Sequence, residues 1–350
     1  MEKIKLIREP RMRRQKNSHI FDLKHNICLF FVFFFTIFQC PFVDAAQVND
    51  SDRSFVTCQL EGQLGNQLFE IATTLAYAWD YDVEPYFSSL NEPRYTKPYN
   101  KEHLFFRLNT EQPPRLIQNT YTESKWYSAD RIPFKRDLLL KGYLQSWKYF
   151  DHYRDRLLQV FAPLESDRVY LQNKYGDLIA NENTVAVHVR TQSFLVHQKG
   201  VHPFMGFEYY RRAFELFPKE TLFVIFSDRT EWCQIHFSEW EKNFIFIDGN
   251  DHIQDLFLMS LMKHQVIANS TLSWWAAYIN ENPNKIVVAP RHWMRADYPD
   301  CIPDHALFND LYLPGWQIVE NDITAPYPED LMLYGPSKSI DNYNHPIPSR

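Results

Sequence analysis

From residue 184 to residue 289, short apolar runs alternate with stretches in which apolar residues recur every three or four positions. Runs of four to six β-branched or aromatic residues are too short for helices and read as buried strands, whereas the 3.6-residue period reads as helices with one apolar face. The pattern predicts strands over 184–189, 221–226, 244–247, 264–268 and 285–289, and helices near 206–217, 230–239, 252–262 and 271–280. Such alternation predicts a parallel, doubly wound sheet, because a parallel neighbour is reached only through a crossover, usually a helix.

The preceding part starts on the same theme. A strand over 54–60, a loop holding Gly62 and Gly65, a helix over 68–79 and a strand over 83–87 make a β-loop-α-β unit. Residues 91–135, rich in Pro, Asn, Tyr and Arg, carry little periodicity; 142–150 reads as a strand or turn, 153–160 as a helix, and 165–177 as a polar link or helix. The break near residue 180 predicts two Rossmann-like domains facing each other, over 54–180 and 181–320, followed by a tail over 321–350.

The N-terminus differs in kind. Residues 1–26 hold Lys3, Lys5, Arg8, Arg11, Arg13, Arg14, Lys16 and Lys24, and 27–43 are uncharged and mostly apolar. That length falls a little short of the ~20 residues of a spanning helix and approaches a signal-peptide core. Two expectations follow: an uncleaved single-pass type II anchor, Golgi-like in a eukaryote, or cleavage near Val43-Asp44-Ala45-Ala46 giving a secreted or lumenal protein. In both, the basic leader stays cytoplasmic.

The composition is globular, with 45% hydrophobic residues. A net charge of -6, from 37 basic and 43 acidic side chains, argues against nucleic acid as a partner, since phosphate neutralisation needs excess cations. Cys58, Cys233 and Cys301 of the body are odd in number and lack Cys-x-x-Cys spacing, so neither a disulfide framework nor a zinc site is expected. His197 and His202 lack the helical spacing of a zincin and read as loop histidines.

In open α/β sheets ligands sit beyond the carboxyl ends of the strands. The residues there are the Gly62-Gln63-Leu64-Gly65-Asn66-Gln67 loop, His188 with Arg190, Ser227 with Asp228, and Asn269-Ser270-Thr271. Arg190 offers a planar, permanently charged fork that matches phosphate oxygens. Ser270 and Thr271 open a helix, where hydroxyls and unpaired N–H groups cap the chain or hold an anion. Asp228 could accept from the amine and ring N–H of a base, or cap the next helix. The glycine loop lacks the third glycine of a dinucleotide fingerprint and the lysine of a P-loop.

Four segments occurring in order carry a family resemblance: Gly62-Gln-Leu-Gly-Asn-Gln-Leu-Phe69, Ala186-Val-His-Val-Arg190, Phe226-Ser-Asp-Arg-Thr-Glu-Trp-Cys233 and Ala268-Asn-Ser-Thr-Leu-Ser-Trp-Trp-Ala-Ala277. Over roughly 55–295 the chain resembles the α-1,2-fucosyltransferases of glycosyltransferase family 11. The resemblance implies a GT-B fold and inverting transfer of L-fucose from GDP-β-L-fucose, a co-substrate, to the 2-hydroxyl of a galactose-containing glycan, with no metal and no cofactor. It implies that Arg190 stabilises the leaving diphosphate and that Asn66 lies near fucose and acceptor, the two catalytic candidates. By the same resemblance His188 and Asp228 lie near guanine and Asn269, Ser270 and Thr271 on the phosphate side, while Gly62, Gly65 and Gln67 belong to the acceptor side or loop. One departure stands out. Thr191 and Ser193 replace the second Arg and the Asp of the family's His-x-Arg-Arg-x-Asp, which leaves the general base unassigned, with Glu61 a bare candidate. Transfer to another hydroxyl, or a tethered nucleotide-sugar or glycan-binding protein with weak turnover, are the alternatives.

Overall fold

The computed structural model describes residues 53–124, 127, 129–191, 202–294, 310–322, 324 and 327–334. The leader 1–26, the apolar segment 27–43, most of the tail, Ser193, His197 and Cys301 lie outside them. No helix among the described residues is long and apolar enough to cross a membrane.

The first sheet contains β1 (Phe55–Cys58), β2 (Glu84–Tyr86), β3 (Asn119–Thr122) and β4 (Leu138–Lys141) in the order β2-β1-β4-β3, every pair parallel. Because side chains alternate along a strand, Val56 and Cys58 of β1 and Leu138 and Leu140 of β4 share one face. These residues join the core with Leu68, Phe69 and Ile71 of helix α1 (Leu64–Tyr81). The predicted β-loop-α-β unit is therefore the beginning of a four-stranded sheet. Of the strand or turn expected over 142–150, the strand alternative fails: the strand is β4, just before it, and a turn and the short 3-10 helix Trp147–Tyr149 follow. Helix α2 (Lys97–His103) lies between β2 and β3, and α3 (Arg154–Val160) and α4 (Glu165–Ala180) lead from the first sheet to the second.

The second sheet contains β5 (Thr184–Val189), β6 (Leu222–Ser227), β7 (Asn243–Phe246), β8 (His264–Val266), β9 (Val287–Pro290) and β10 (Gln317–Val319) in the order β10-β9-β8-β5-β6-β7. All its pairs are parallel, as the alternation predicts, and β10 is an addition the sequence pattern did not reveal. Its helices are α5 (Gly206–Phe214), α6 (Thr230–Phe237), α7 (His252–Leu261) and α8 (Thr271–Ile279). Val185, Val187 and Val189 pack with Tyr209, Tyr210, Trp232 and Phe237 of α5 and α6. Ala186 turns the other way, into a core shared with α7, α8 and the first sheet's α1.

That shared core locks the two sheets together. The ring of Phe69 on α1 lies 4.4 Å from that of Trp274 on α8, and Phe150 stacks on Trp275 at 5.4 Å. Buried aromatic pairs each contribute roughly 0.5–1.5 kcal/mol beyond their area. The chain leaves β5 toward β6 and β7, then returns to β8 on the opposite side, so the topological switch point lies between β5 and β8.

Candidate functional site

The carboxyl ends of β5, β6 and β8 meet at this switch point and carry the residues singled out in the sequence. His188, on the α7 and α8 side of β5, is 5% exposed. Burial first, and the neighbouring Arg190 charge second, push its imidazole down to about 3, against a smaller opposing pull from Asp228. The ring is therefore neutral at physiological pH. Arg190 follows with 23% of its side chain exposed, and its guanidinium lies 3.7 Å from an oxygen of the buried Asp228.

Asp228 is fixed from the other side by Thr191, whose backbone N–H and hydroxyl both donate to Oδ1, at 2.8 and 2.9 Å. Thr191 is fully buried. The departure from the family pattern at this position thus has a structural task, holding the carboxylate that orients Arg190. Thr191→Val keeps the volume and removes one of the two bonds. We expect initial transfer rates about tenfold lower, the effect of one buried hydrogen bond to a charged group, and Thr191→Ser to restore them.

His188, Arg190, Phe226, Ser227 and Asp228 line a small cavity with Asp255, Met259 and Leu272. Asp255 is a functional candidate that the sequence reading missed. Burial first, with Asp251 and Asp248 adding to it, pushes its carboxyl up to about 7, while the Asn250 amide at 3.1 Å pulls the other way. The available signal was a carboxylate set in an apolar helix at four-residue spacing from Met259, sharing its face.

Several buried polar atoms here have no hydrogen-bond partner among the described residues: Nδ1 of His188, Nε and Nη1 of Arg229, and Oδ1 of Asn269. Each such atom costs about 1–3 kcal/mol, so their gathering at one sheet edge marks a place built for a polar ligand. Asn269 also acts as a staple, its Nδ2 donating to the carbonyls of Pro203 and Trp293 at 3.1 Å each. His202, read as a loop histidine, lies beside this staple with Nδ1 3.2 Å from the Trp293 carbonyl. Burial pushes it down to about 4, and Arg190 is close enough to add to the shift.

The glycine loop reaches the same edge from the first sheet. Gly62 adopts φ +72°, and a Cβ there would lie 2.3 Å from the Asn66 amide that covers it. Gly65 sits against the start of α8, where a Cβ would lie 2.5 Å from Leu272 N and from the Thr271 carbonyl carbon. That close approach lets Thr271 donate to Asn66 Oδ1 at 2.9 Å, and Gln145 donates to the same oxygen at 3.0 Å. Ser270 is the N-cap of α8, with no side-chain cap bond. The structure therefore brings Asn66, Ser270 and Thr271 together across the two sheets.

Gln67 serves the architecture. Fully buried, it donates to the carbonyls of Gly62 and Tyr95 at 2.9 Å each and accepts from Asn100 at 2.8 Å. Glu61 presents its backbone N–H to both oxygens of Glu70, each at 3.1 Å, and its carboxylate accepts from Gln59. Burial raises the Glu70 carboxyl well above the usual carboxylate range, with the Glu61 N–H opposing. No group of three or more His, Cys, Asp or Glu able to hold a metal occurs among the described residues. Cys58 and Cys233 are buried free thiols, both raised by burial.

Known proteins share this sequence pattern. The O-antigen biosynthesis glycosyltransferase WbnK of Escherichia coli is 31% identical over 193 residues, 51% of this chain and 63% of the relative, so the chain spans under two thirds of that protein. The alpha-1,2-colitosyltransferase of Escherichia coli is 27% identical over 275 residues, covering 70% of this chain and 94% of the relative. Galactoside 2-alpha-L-fucosyltransferase SEC1 of Bos taurus is 27% identical over 291 residues, 72% and 76% of the two chains. The family model of Glycosyl transferase family 11 matches residues 24–320, which contain both sheets and every candidate residue above, and the chain belongs to that family.

Proposed function

We propose that the protein is an inverting α-1,2-fucosyltransferase that moves L-fucose from GDP-β-L-fucose to the 2-hydroxyl of a galactoside, its two parallel sheets forming the halves of a GT-B fold. The observation that carries this reading is the Arg190 guanidinium beside the buried Asp228, in a cavity that the unpartnered imidazole of His188 also lines at the switch point. In the reaction the bond between fucose C1 and the β-phosphate oxygen breaks as the galactose 2-oxygen bonds to C1 from the opposite face. Negative charge develops on the β-phosphate, where Arg190, held by Asp228, is aimed. A fixed cation facing developing charge is worth most in a partly dry site. The proton of the attacking hydroxyl leaves to a base that the residues above do not identify.

We assign the nucleobase to the Asp255 side of this cavity, which must widen to admit it, beside Phe226, Met259 and Leu272. An ionised carboxylate accepts from both the ring N–H and the amine of guanine, whereas the protonated acid loses one acceptor. Because Asp255 sits at about 7 without ligand, GDP affinity is expected to fall as pH drops below 7, and binding near neutrality to release a proton. Calorimetry in two buffers of different ionisation enthalpy checks this. Asp255→Asn should bind weakly and without the pH dependence; unchanged affinity at every pH would reassign the base pocket.

A panel of GDP-fucose, a colitose donor, GDP-mannose and UDP-galactose, followed by nucleoside diphosphate release, tests the donor. GDP-fucose is expected to be used best, and a preference for the colitose donor would move the reading to that sugar, which one relative's name carries. For the first 43 residues we propose a type II membrane anchor that places the catalytic part across the membrane from the basic leader, on the charge pattern of the sequence.

A further inference from the structure

Helix α1 covers one face of the first sheet, and the opposite face carries a cleft of about 350 Å³. Its floor includes Thr57 and Leu139, paired neighbours on β1 and β4. Ser88, Ser89 and Glu92 come from the segment after β2, and Gln112, Pro113 and Ile117 from the connection before β3. At the carboxyl end the cleft is bounded by Gln59, Leu60 and Glu61, so it stops where Gly62 begins the loop that Asn66 covers. The cleft therefore ends beside the loop whose Asn66 meets Thr271.

Its lining is dense in hydroxyl, amide and carboxylate groups and poor in large apolar side chains, a chemistry suited to a polyhydroxylated ligand. Parts of it are preset. Glu92 is held at 2.8 Å by Lys97, an ammonium only 2% exposed, and Gln59 donates to Glu61 at 2.8 Å. The side chains of Lys141 and Gln112 make no hydrogen bond or ion pair with other described residues. With Glu92 paired to Lys97, Glu61 is balanced by Lys141, so the rim carries no net charge to select an acidic or a basic sugar.

We propose that this cleft is an acceptor subsite for neutral saccharide units beyond the reacting galactoside, with Lys141 and Gln112 as residues that set acceptor length preference. The inference rests on the fucosyltransferase reading, which supplies the orientation: reacting sugar at the glycine loop, remaining units along the sheet face.

Full-length protein carrying Gln112→Ala or Lys141→Met is compared with wild type on methyl β-galactoside and on a neutral trisaccharide ending in the same β-galactose. Loss of one or two sugar hydrogen bonds should raise KM for the trisaccharide about tenfold, with methyl β-galactoside kinetics unchanged. Equal rises for both acceptors, or no rise for either, overturn the subsite. Saturation-transfer NMR of the trisaccharide without donor gives a readout independent of turnover: contacts from its reducing-end sugars are expected in wild type and lost in both variants. Their absence in wild type, or persistence in the variants, overturns the proposal even where no acceptor is fucosylated and the functional reading itself has failed.

Discussion

Arg190→Ala is expected to lower transfer by about 10²–10³-fold, the scale on which removing one preorganised charge-stabilising group acts. The physical reason is that Arg190 stands at the end of a buried strand beside a carboxylate that cannot move. Thr191 holds Asp228 through its N–H and its hydroxyl, and α6 begins directly after it. Arg190 belongs to neither hydrophobic core, so removing its guanidinium leaves the apolar packing in place and the melting temperature should change little. Asp228 keeps both Thr191 bonds and is not left without partners. Arg190→Lys should also fall well below wild type, because a point charge does not reproduce the two-pronged fork. Steady-state rates alongside thermal melts check both. Near-wild-type transfer by Arg190→Ala would remove the phosphate role.

Gly65→Ala is expected to damage both stability and activity although it adds a single methyl group. The new Cβ would meet Thr271 Oγ1 at 2.4 Å and the backbone of Thr271 and Leu272 at 2.5 Å. Helix backbone cannot swing aside as a flexible side chain does, so α1 and α8 must separate. Overpacking of this kind costs about 1–3 kcal/mol. Separation would also pull Thr271 away from Asn66 and disturb the tilted Phe69–Trp274 ring contact behind it. A drop of several degrees in melting temperature, about 4 °C or less per kcal/mol at this chain length, should accompany a loss of transfer larger than the stability loss explains. An unchanged melting temperature would show that the contact yields at no cost.

How legible the molecule was in its sequence depended on whether each signal was local. β5 was readable because Thr184–Val189 is a run of mostly β-branched residues buried throughout, and α8 because its Trp-Trp-Ala-Ala face is apolar and closed by an N-cap serine. β3 was hidden: Asn119–Thr122 is half exposed on an outer strand and has no apolar run. β4 was hidden in turn because its three leucines follow the charged Lys135-Arg136-Asp137 and are too few to show a period. Within the site, Arg190 and Ser270 could be singled out because strand ends and helix starts are local features. The meeting of Asn66 with Thr271 could not, since it joins positions 205 residues apart. Thr191 looked like the loss of a family arginine, and only its two bonds to Asp228 reveal what it does. Asp255 passed for one more helix residue, because what matters about it is the face it shares with a cavity.

Two-dimensional NMR of the product formed from GDP-β-L-fucose and a β-galactoside tests the fucosyltransferase assignment most directly. The expected product carries α-anomeric fucose on galactose O2, formed by wild type and lost in Arg190→Ala. Fucose on another hydroxyl, a β-anomeric product, or GDP-fucose bound without transfer to any galactoside would contradict it.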